Sequence, residues 1–388
     1  MIKNYFKNRL FSQLEKLHWG TLTLTTPDGI TRQFKGIDPS GAAVSMTVKD
    51  WSVIPNLLLK GDIGFAEDYR DNKWETDNLT ALLTLALKNR APFDKFVLGK
   101  TLFRAFENLK YLLTRNSLKG SRKNIEAHYD LGNEFYAQWL DPSMTYSSAV
   151  FANEGQTLEA AQANKYDLIL NQLDRKDGSL LEIGCGWGGF IKHAQAVGNF
   201  DVKGLTLSPS QLSYAAKQTK GQARIELKDY RQEKTRYDSI VSIEMFEAVG
   251  EEYWPIYFKQ ISNLLNQGGR AVLQTITINE MDFERYRKGS DFIRTYIFPG
   301  GMLASTRRFI DEAEKAGLIV STPTHHGAHY AKTLNLWLKS FDAAEAPLKK
   351  MGFDEPFMKL WRFYLAACSA GFATGRTDVI QANFSKQS

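Results

Sequence analysis

Hydrophobic and polar positions in the first part of the chain follow a helical period and then a strand period. Over residues 1–17 apolar side chains recur every three or four positions, with basic residues among them. This pattern predicts a helix that either packs on its own domain or lies on a membrane surface. Residues 20–24 and 43–48 alternate as strands do, and the Asp28-Gly29 pair favours a hairpin turn. With a capped helix over 78–87, residues 1–93 form a small α+β domain.

A different pattern begins at Asp177, where short apolar strands alternate with helical stretches. This alternation predicts a doubly wound, Rossmann-like α/β fold with a mostly parallel sheet, in a second domain that spans residues 126–388. The predicted strands cover residues 179–183, 201–207, 223–228, 238–243 and 270–277.

Between these domains, residues 94–125 form a basic connector that we expect to be partly helical. Its eight Lys and Arg residues between Lys95 and Lys123 are opposed only by Glu107. Such a stretch could meet nucleic acid phosphates or anionic lipid headgroups. A solvated connector is the simpler alternative.

Composition narrows the class of protein. The chain has 388 residues, of which 43% are hydrophobic and 24% charged, values typical of a soluble globular protein with two domains. No apolar run is long enough to span a bilayer, and no signal peptide is recognisable. Cys185 and Cys368 are the only cysteines, which favours a reducing compartment and predicts a cytoplasmic protein.

The strongest local signal is a glycine loop that directly follows the strand at residues 179–183. Gly184, Gly186 and Gly188 let the backbone turn sharply and approach a ligand, and a helix follows whose first N–H groups are free. The spacing also satisfies the dinucleotide fingerprint G-x-G-x-x-G, which is a weak match by itself. The loop therefore predicts a nucleotide-like cofactor.

Two features favour S-adenosylmethionine over a nicotinamide cofactor. Glu182 lies two residues before the first glycine, a hallmark of methyltransferases. The second strand ends without the acidic residue that a dinucleotide ribose prefers, and carries Thr206 and Gln211 there instead. After the third strand, Asp229 offers an acceptor for an adenine amino group and Tyr230 a ring to stack on it. Each residue alone would be an ordinary loop residue. Their shared position at the ends of successive strands strengthens the interpretation that together they bind the cofactor.

At this point the chain resembles the cyclopropane-fatty-acyl-phospholipid synthase and mycolic acid methyltransferase family over nearly its whole length. The first ninety or so residues look like the extra N-terminal domain of the bacterial lipid-acting synthases, which favours intact membrane phospholipid over a carrier-bound acyl chain. The matching segments are residues 128–136, 144–151, 184–189, 204–208, 245–250, 296–300, 327–330 and 364–368.

The resemblance implies a methyl transfer to the cis double bond of an unsaturated acyl chain, through a carbocation, that ends in a cyclopropane ring. It implies that Tyr330, with Tyr146 or Phe246, faces the cation with its π surface. It also implies a peripheral position at the inner face of the membrane, with the connector on anionic headgroups. Nucleic acid is not expected as a partner, and a homodimer is left open. The implied cofactor contacts are Tyr146, Ser147, Gly184, Gly186, Gly188, Thr206, Gln211, Asp229 and Tyr230, with Gln162 and Lys165 as weaker candidates.

The chain departs from the family where bicarbonate normally binds as the base. That site is described by a Cys, a Glu, a His, an Ile and a Tyr, of which Glu247, Ile276 and Tyr330 match. Ser148 stands at the Cys position and Gln274 at the His position. Beside them Glu244 replaces the usual Gly, as in some hydroxymycolate-forming relatives.

These departures lead to the hypothesis that Glu244 replaces bicarbonate and acts as the base. A bound anion beside Glu244 would suffer like-charge repulsion, whereas a carboxylate in a dry, aromatic-lined pocket is a suitable general base. The alternative is that Glu244 turns outward or forms a salt bridge. If the base cannot reach the new methyl group, a methyl-branched, methylene or hydroxylated chain would form instead of a ring.

Other interpretations concern single residues and rival classes of protein. Cys368 reads as a buried core thiol, and Cys185 only needs to be small. The histidines at 325, 326 and 329 lack the register of a metal site and are expected beside the acyl pocket. The rivals are a small-molecule or RNA methyltransferase that uses the connector, and an inactive membrane-binding module.

Overall fold

The computed structural model describes residues 2–90 and 131–386, with side chains from residue 7 onward. The predicted connector at 94–125 lies outside these residues, and so do His128 and the boundary at residue 93. Fold and contacts are therefore stated for the described ranges.

The N-terminal residues form a four-stranded sheet covered by helices, as the α+β prediction required. Strand β1 pairs antiparallel with β2 across the predicted turn and parallel with β3, in the order β2-β1-β3-β4. Asn78 caps the last helix by accepting a hydrogen bond from the Ala81 N–H at 2.9 Å. The elements are α1 (Ile2–Leu14), β1 (Trp19–Thr25), β2 (Thr31–Lys35), β3 (Asp38–Val48), α2 (Val53–Lys60), α3 (Asp62–Arg70), β4 (Trp74–Thr76) and α4 (Leu79–Lys88).

The alternation seen in the sequence is the burial pattern of this sheet. Leu22 and Leu24 of β1 point inward next to Val44 and Met46 of β3, which lie opposite them in the parallel register. The predicted first helix is confirmed as α1, and its Leu14 is buried in the core of its own domain. Packing, rather than a free amphipathic face, therefore accounts for this end of the helix.

The second part of the chain is the predicted doubly wound α/β fold. Its sheet has the order β10-β12-β9-β8-β5-β6-β7, parallel from β9 through β7, with β12 antiparallel to β9 and β10. All five predicted strands are confirmed within a few residues. The strands are β5 (Asp177–Ile183), β6 (Asn199–Thr206), β7 (Arg224–Leu227), β8 (Tyr237–Ile243), β9 (Leu265–Ile278), β10 (Leu318–Val320), β11 (Thr324–His325) and β12 (Thr377–Lys386).

Helices cover both faces of this sheet. The longest of them, α14, also contacts the N-terminal domain. The helices are α5 (Asn133–Ala137), α6 (Leu158–Leu173), α7 (Gly189–Val197), α8 (Pro209–Gln218), α9 (Trp254–Leu264), α10 (Glu280–Arg287), α11 (Thr306–Lys315), α12 (Gly327–Ala343), α13 (Glu345–Lys350) and α14 (Glu355–Ala373).

The two parts share one hydrophobic core rather than meeting at a polar seam. The ring of Phe65 in α3 lies 6.2 Å from that of Phe363 in α14. The Phe292 N–H donates to the Asp62 carboxylate at 3.2 Å, and Arg90 forms an ion pair with Asp282 at 2.6 Å. One cluster of buried side chains runs from Leu14 through these helices to β12. The N-terminal domain is thus fixed against the catalytic domain.

Within residues 2–90 and 131–386, no helix combines the length and apolar character that crossing a membrane requires.

Candidate active site

A continuous cavity of about 670 Å³ opens at the carboxyl ends of the parallel strands and extends toward the N-terminal domain. This edge of a doubly wound sheet is where ligands normally bind. Loops after β5, β6 and β7 line one part, which we call the cofactor end. Glu244, Glu247, Ile276 and Tyr330 line a second part, which we call the reaction end.

The glycine loop forms the floor of the cofactor end, as predicted. Gly184, Gly186 and Gly188 all have positive φ, at +81°, +51° and +85°, which side chains rarely tolerate. A Cβ on Gly184 would lie 2.7 Å from Cγ of Met245, whereas one on Gly186 would point into open space. Gly188 does not line the cavity, because it caps α7 and packs against Ala215 of α8. Gly186 therefore leaves room for a ligand, Gly184 leaves room for Met245, and Gly188 serves helix packing.

Glu182 lines the cofactor end with an unsatisfied carboxylate oxygen. Its side chain is buried, and Oε2 has no hydrogen-bond partner in the described part of the chain. Burial raises the pKa of this carboxyl to about 8, and the nearby charge of Lys165 opposes the rise. A buried carboxyl oxygen without a partner fits a ligand that brings hydroxyl or ammonium groups.

The other predicted cofactor residues are held by neighbours on the same loops. The Thr206 hydroxyl donates to Oε1 of Gln211 at 2.9 Å. The guanidinium of Arg231 binds both oxygens of Asp229, at 2.8 and 2.6 Å. Tyr230 is largely buried but still lines the cavity. These contacts position the side chains at the successive strand ends without closing the space between them.

Tyr146 and Ser147 reach the same cavity from the segment before α6. Gln162 donates to the carbonyl oxygen of Ser147 at 2.9 Å, and Lys165 donates to its hydroxyl at 2.7 Å. Both α6 side chains are fully buried and lie behind Ser147, outside the cavity wall. The structure thus makes them supports of Ser147 rather than direct contacts, and burial lowers the pKa of Lys165 to about 8.

The cofactor end fits S-adenosylmethionine. The open side of Gly186, the free oxygen of Glu182 and the polar pair Thr206–Gln211 surround one space, next to Asp229 and the ring of Tyr230. These groups match a ligand that carries an ammonium group, ribose hydroxyls and an adenine ring.

Glu244 occupies the centre of the reaction end in a strained backbone conformation. Its φ is +49°, a region that costs a non-glycine residue roughly 1–3 kcal/mol and is retained mostly at functional sites. Its Oε1 accepts hydrogen bonds from the Ser148 N–H and from Nε2 of Gln274, each at 2.8 Å, and Tyr330 donates its hydroxyl. Burial raises the pKa of Glu244, while Lys165 and these donors oppose the rise. The alternative of an outward-turned Glu244 is therefore wrong.

Gln274 and Ser148 stand behind Glu244 and do not line the cavity. Both are fully buried, and Gln274 belongs to a row of amides that ends at Gln172 of α6. Gln172 donates to Gln381 at 2.9 Å, and Gln381 donates to Oε1 of Gln274 at 2.9 Å. This row presents the amide N–H of Gln274 to Glu244. The sequence gives no local signal for Gln381, because its partners lie far away along the chain.

Glu247 lies beside Glu244 with one oxygen bound and one unpaired. Oε1 accepts hydrogen bonds from the Thr275 hydroxyl and the Ile276 N–H, while Oε2 is buried without a partner among the described residues. Burial and the charge of Glu244 raise the pKa of Glu247 to about 8. Like charges in a dry site do not ionise together, so Glu247 is the protonated member of the pair at neutral pH.

Tyrosine rings form the wall opposite the carboxylates. Tyr330 packs on Phe372, with ring centroids 4.5 Å apart, and Tyr146 shares a hydrogen bond of 2.7 Å between its hydroxyl and that of Tyr364. All of these rings line the cavity. Phe246 was expected to join them and does not, since its ring is buried between Trp254 and Phe309 on the other side of the loop.

Two further expectations concern the position of Cys368 and of the three histidines relative to the cavity. Cys368 lies on the cavity wall rather than in closed core, and burial raises the pKa of its thiol to about 12, which keeps it inert. None of the three histidines lines the cavity, although His329 directly precedes Tyr330, which does. His325 instead pairs with Asp378 at 2.6 Å, and Nδ1 of His329 accepts the Phe151 N–H.

The fold and the cofactor end define an S-adenosylmethionine-dependent methyltransferase. The chain belongs to the mycolic acid cyclopropane synthetase family, whose model matches residues 116–382.

Relatives and solved structures agree with this assignment. Tuberculostearic acid methyltransferase UfaA1 of Mycobacterium tuberculosis is 36% identical over 337 residues, covering 83% of this chain and 78% of its own. Cyclopropane-fatty-acyl-phospholipid synthase of Escherichia coli K12 is 32% identical over 362 residues, covering 90% of each. The structure of mycolic acid cyclopropane synthase CmaA1 complexed with SAH and CTAB aligns with a TM-score of 0.64 and 34% identity, covering 68% of this chain and 98% of that one.

Proposed function

We propose that this enzyme transfers a methyl group to the cis double bond of an unsaturated phospholipid acyl chain and forms a cyclopropane ring, with Glu244 as the base. The single observation that carries the proposal is the half-buried carboxylate of Glu244, which two hydrogen bonds hold on a strained backbone in a cavity that also reaches the cofactor end. The names of the relatives supply the acyl substrate class.

S-adenosylmethionine, when bound at the cofactor end, would supply an electrophilic methyl group. Addition of that methyl to one alkene carbon leaves a positive charge on the other. Tyr330 and Tyr146 turn their electron-rich faces to that charge, an interaction that strengthens where water is excluded.

The proton released after transfer goes to Glu244, the carboxylate at the reaction end that we assign as the base. Glu244 is the ionised member of the carboxyl pair, and it takes a proton from the new methyl carbon while the C–H electron pair closes the ring onto the cationic carbon. Glu247 stays protonated and so does not compete. Ser148 and Gln274 hold the carboxylate in place as positioning residues, and their hydrogen bonds, together with the nearby charge of Lys165, favour its ionised form.

A second outcome is favoured by the relative named as a tuberculostearic acid methyltransferase. The same transfer would end in a methyl-branched, methylene or hydroxylated chain if Glu244 removed a different proton or if water reached the cation. The position of the fixed carboxylate, set by its backbone at φ +49°, decides which hydrogen is within reach.

The membrane interface is part of the same proposal. Residues 1–93 would associate with lipid, and the connector at 94–125 would meet anionic headgroups at the inner face of the membrane. The support is the charge of the connector, with Lys and Arg against a single Glu between residues 95 and 123. Binding to vesicles should then weaken as salt rises and as anionic lipid is removed.

The deciding experiment incubates the full-length protein with labelled S-adenosylmethionine and dioleoyl phospholipid vesicles. Label in the acyl chain, with one added methylene unit and no remaining alkene signal in mass and NMR spectra, supports ring formation. Retained unsaturation or an added hydroxyl supports the second outcome. Absence of label in lipid refutes the acyl-chain proposal altogether.

The role of Glu244 is tested by Glu244→Gly, which suits the left-handed backbone and leaves the N–H of Ser148, the amide of Gln274 and the hydroxyl of Tyr330 facing a vacant space. We expect turnover to fall by about 10²-fold or more. Added bicarbonate or formate should restore part of it by occupying that space. Unchanged turnover and product without added anion would contradict the base assignment.

A further inference from the structure

The cavity continues past the reaction end into the interior of the N-terminal domain. Leu24 of β1 and Met46 of β3 line it from the sheet, and Leu57 of α2 and Leu83 of α4 line it from the covering helices. We call this part the N-terminal compartment. Since these side chains carry no hydrogen-bonding group, the space suits an alkyl chain rather than a polar ligand.

Polar side chains line the cavity where this compartment meets the reaction end. Thr377 begins β12, which pairs with the strand that carries Ile276. Arg376 precedes it, and Asp62 approaches from the start of α3, where it accepts the Phe292 N–H. We call Asp62, Arg376 and Thr377 the polar junction.

The polar junction has donors that nothing in the described chain satisfies. Nε of Arg376 and Oγ1 of Thr377 are both buried without a hydrogen-bond partner. Asp62 lies within electrostatic range of Arg376 but forms no ion pair with it in the part of the chain that the structure describes. Buried donors of this kind are normally satisfied, so a ligand with acceptor oxygens is expected between them.

The apolar N-terminal compartment and the reaction end lie on either side of unsatisfied donors, an arrangement that matches a lipid with two alkyl chains joined at ester and phosphodiester oxygens. A lipid with one chain would fill the reaction end and leave the N-terminal compartment empty. We propose that this compartment binds the second acyl chain of a diacyl phospholipid, whose ester or phosphodiester oxygens bind Arg376 and Thr377. The inference rests on the proposed function and specifies its substrate.

The test compares dioleoylphosphatidylglycerol with 1-oleoyl-lysophosphatidylglycerol in the same detergent micelles, with labelled S-adenosylmethionine and the full-length protein. Leu57→Trp enlarges a half-buried side chain of the compartment wall. Leu59→Trp is the matched control on the same helix, because Leu59 is 57% exposed and does not line the cavity. The readout is the ratio of kcat/KM for the diacyl lipid to that for the lysolipid.

We expect Leu57→Trp to lower this ratio about tenfold, the effect of displacing one or two methylenes, and Leu59→Trp to preserve it. Arg376→Met should raise KM for both lipids, since both carry a phosphodiester, and Arg376→Lys should restore part of the loss. An unchanged ratio in Leu57→Trp, or unchanged KM in Arg376→Met, overturns the inference while the proposed function stands. If the unmodified protein labels neither lipid, the proposed function itself fails.

Discussion

The cofactor end and the reaction end of the cavity are built in opposite ways. At the cofactor end Thr206 and Asp229 follow their own strands and are held by neighbours a few residues away, Thr206 by Gln211 and Asp229 by Arg231. At the reaction end Glu244 is held by Ser148 and Gln274, which lie 96 and 30 residues away. The comparison shows that residues of the cofactor end are positioned by contacts within short segments. The side chain of Glu244 is positioned by contacts between distant parts of the chain.

The buried charges differ in the same way. Glu182 at the cofactor end has an oxygen without a partner, which a ligand can satisfy. At the reaction end Oε1 of Glu244 already accepts two hydrogen bonds from protein donors, which hold the carboxylate in place. The positive charge of Lys165 opposes the rise in pKa of both Glu182 and Glu244.

The largest effect is expected from Glu244→Gln, which keeps the shape of the side chain and removes its basicity. Turnover should fall by about 10²- to 10⁴-fold, the usual contribution of a general base. Cofactor affinity should stay within about twofold, because the change lies at the reaction end. Kinetics and calorimetric titration with S-adenosylhomocysteine measure the two, and the exposed Glu159→Gln is the control. Equal losses in turnover and in cofactor affinity would show that the reaction end and the cofactor end do not act independently.

The complementary change is Gly184→Ala at the cofactor end. The new Cβ would meet Met245 at 2.7 Å in a backbone with φ +81°, so the loop must shift. We expect the Kd of the cofactor to rise about tenfold or more, with a smaller change in turnover at saturation. Gly221→Ala is the control for backbone strain without a steric clash, because Gly221 has φ +75° with nothing within 4 Å of a Cβ. Equal effects of the two variants on cofactor Kd would show that the clash with Met245 is not the cause.

Lys165→Met removes the charge that both ends share. The pKa values of Glu182 and Glu244 should rise further, which moves the acidic limb of the kcat/KM profile to higher pH by about one unit and lowers turnover below that limb. The pH profile measures this shift, and Lys192→Met on the exposed face of α7 is the control. A uniform loss at every pH would assign Lys165 to packing alone.

The smallest effect is expected from Glu247→Gln and concerns stability. The folded pKa of Glu247 is about 8 against an ordinary value of 4.5, so the native state keeps a proton that the unfolded chain has lost between these values. The free energy of unfolding therefore falls as pH rises through this window. Denaturant unfolding at pH 6 and pH 8 should show a loss about 1–3 kcal/mol smaller in the variant. If the variant and the unmodified protein lost the same free energy of unfolding, the group with the raised pKa would be another one, for example Glu182.

Much of the fold follows from patterns that can be read along the chain. The strand alternation of residues 20–24, the glycine loop and the five parallel strands were predictable because each depends on neighbours in sequence. The connector at 94–125 and the N-terminal boundary stay predictions. The placement of Phe246 was wrong because position on a loop does not tell which side of the sheet a ring will face.

The sequence predicted which residues form the site better than it predicted what each of them does. Ser148 and Gln274 were expected as catalytic residues and prove to be supports behind Glu244, since neither reaches the cavity. Gln381 and Gln172, which orient the amide of Gln274, are ordinary residues in the sequence. Their effect exists only because antiparallel pairing of β12 with β9 places Gln381 directly opposite Gln274.

By itself the sequence determined a methyltransferase fold, its cofactor loop and an unusual glutamate at position 244, because these depend on backbone conformation and spacing within single segments. Only the tertiary structure decided that Glu244 is half-buried, that Ser148 and Gln274 donate hydrogen bonds to its Oε1, and that it lies beside Glu247. Charge in a protein interior is set by desolvation and by donors that distant segments bring together. The same long-range packing joins the reaction end to an apolar space inside the N-terminal domain.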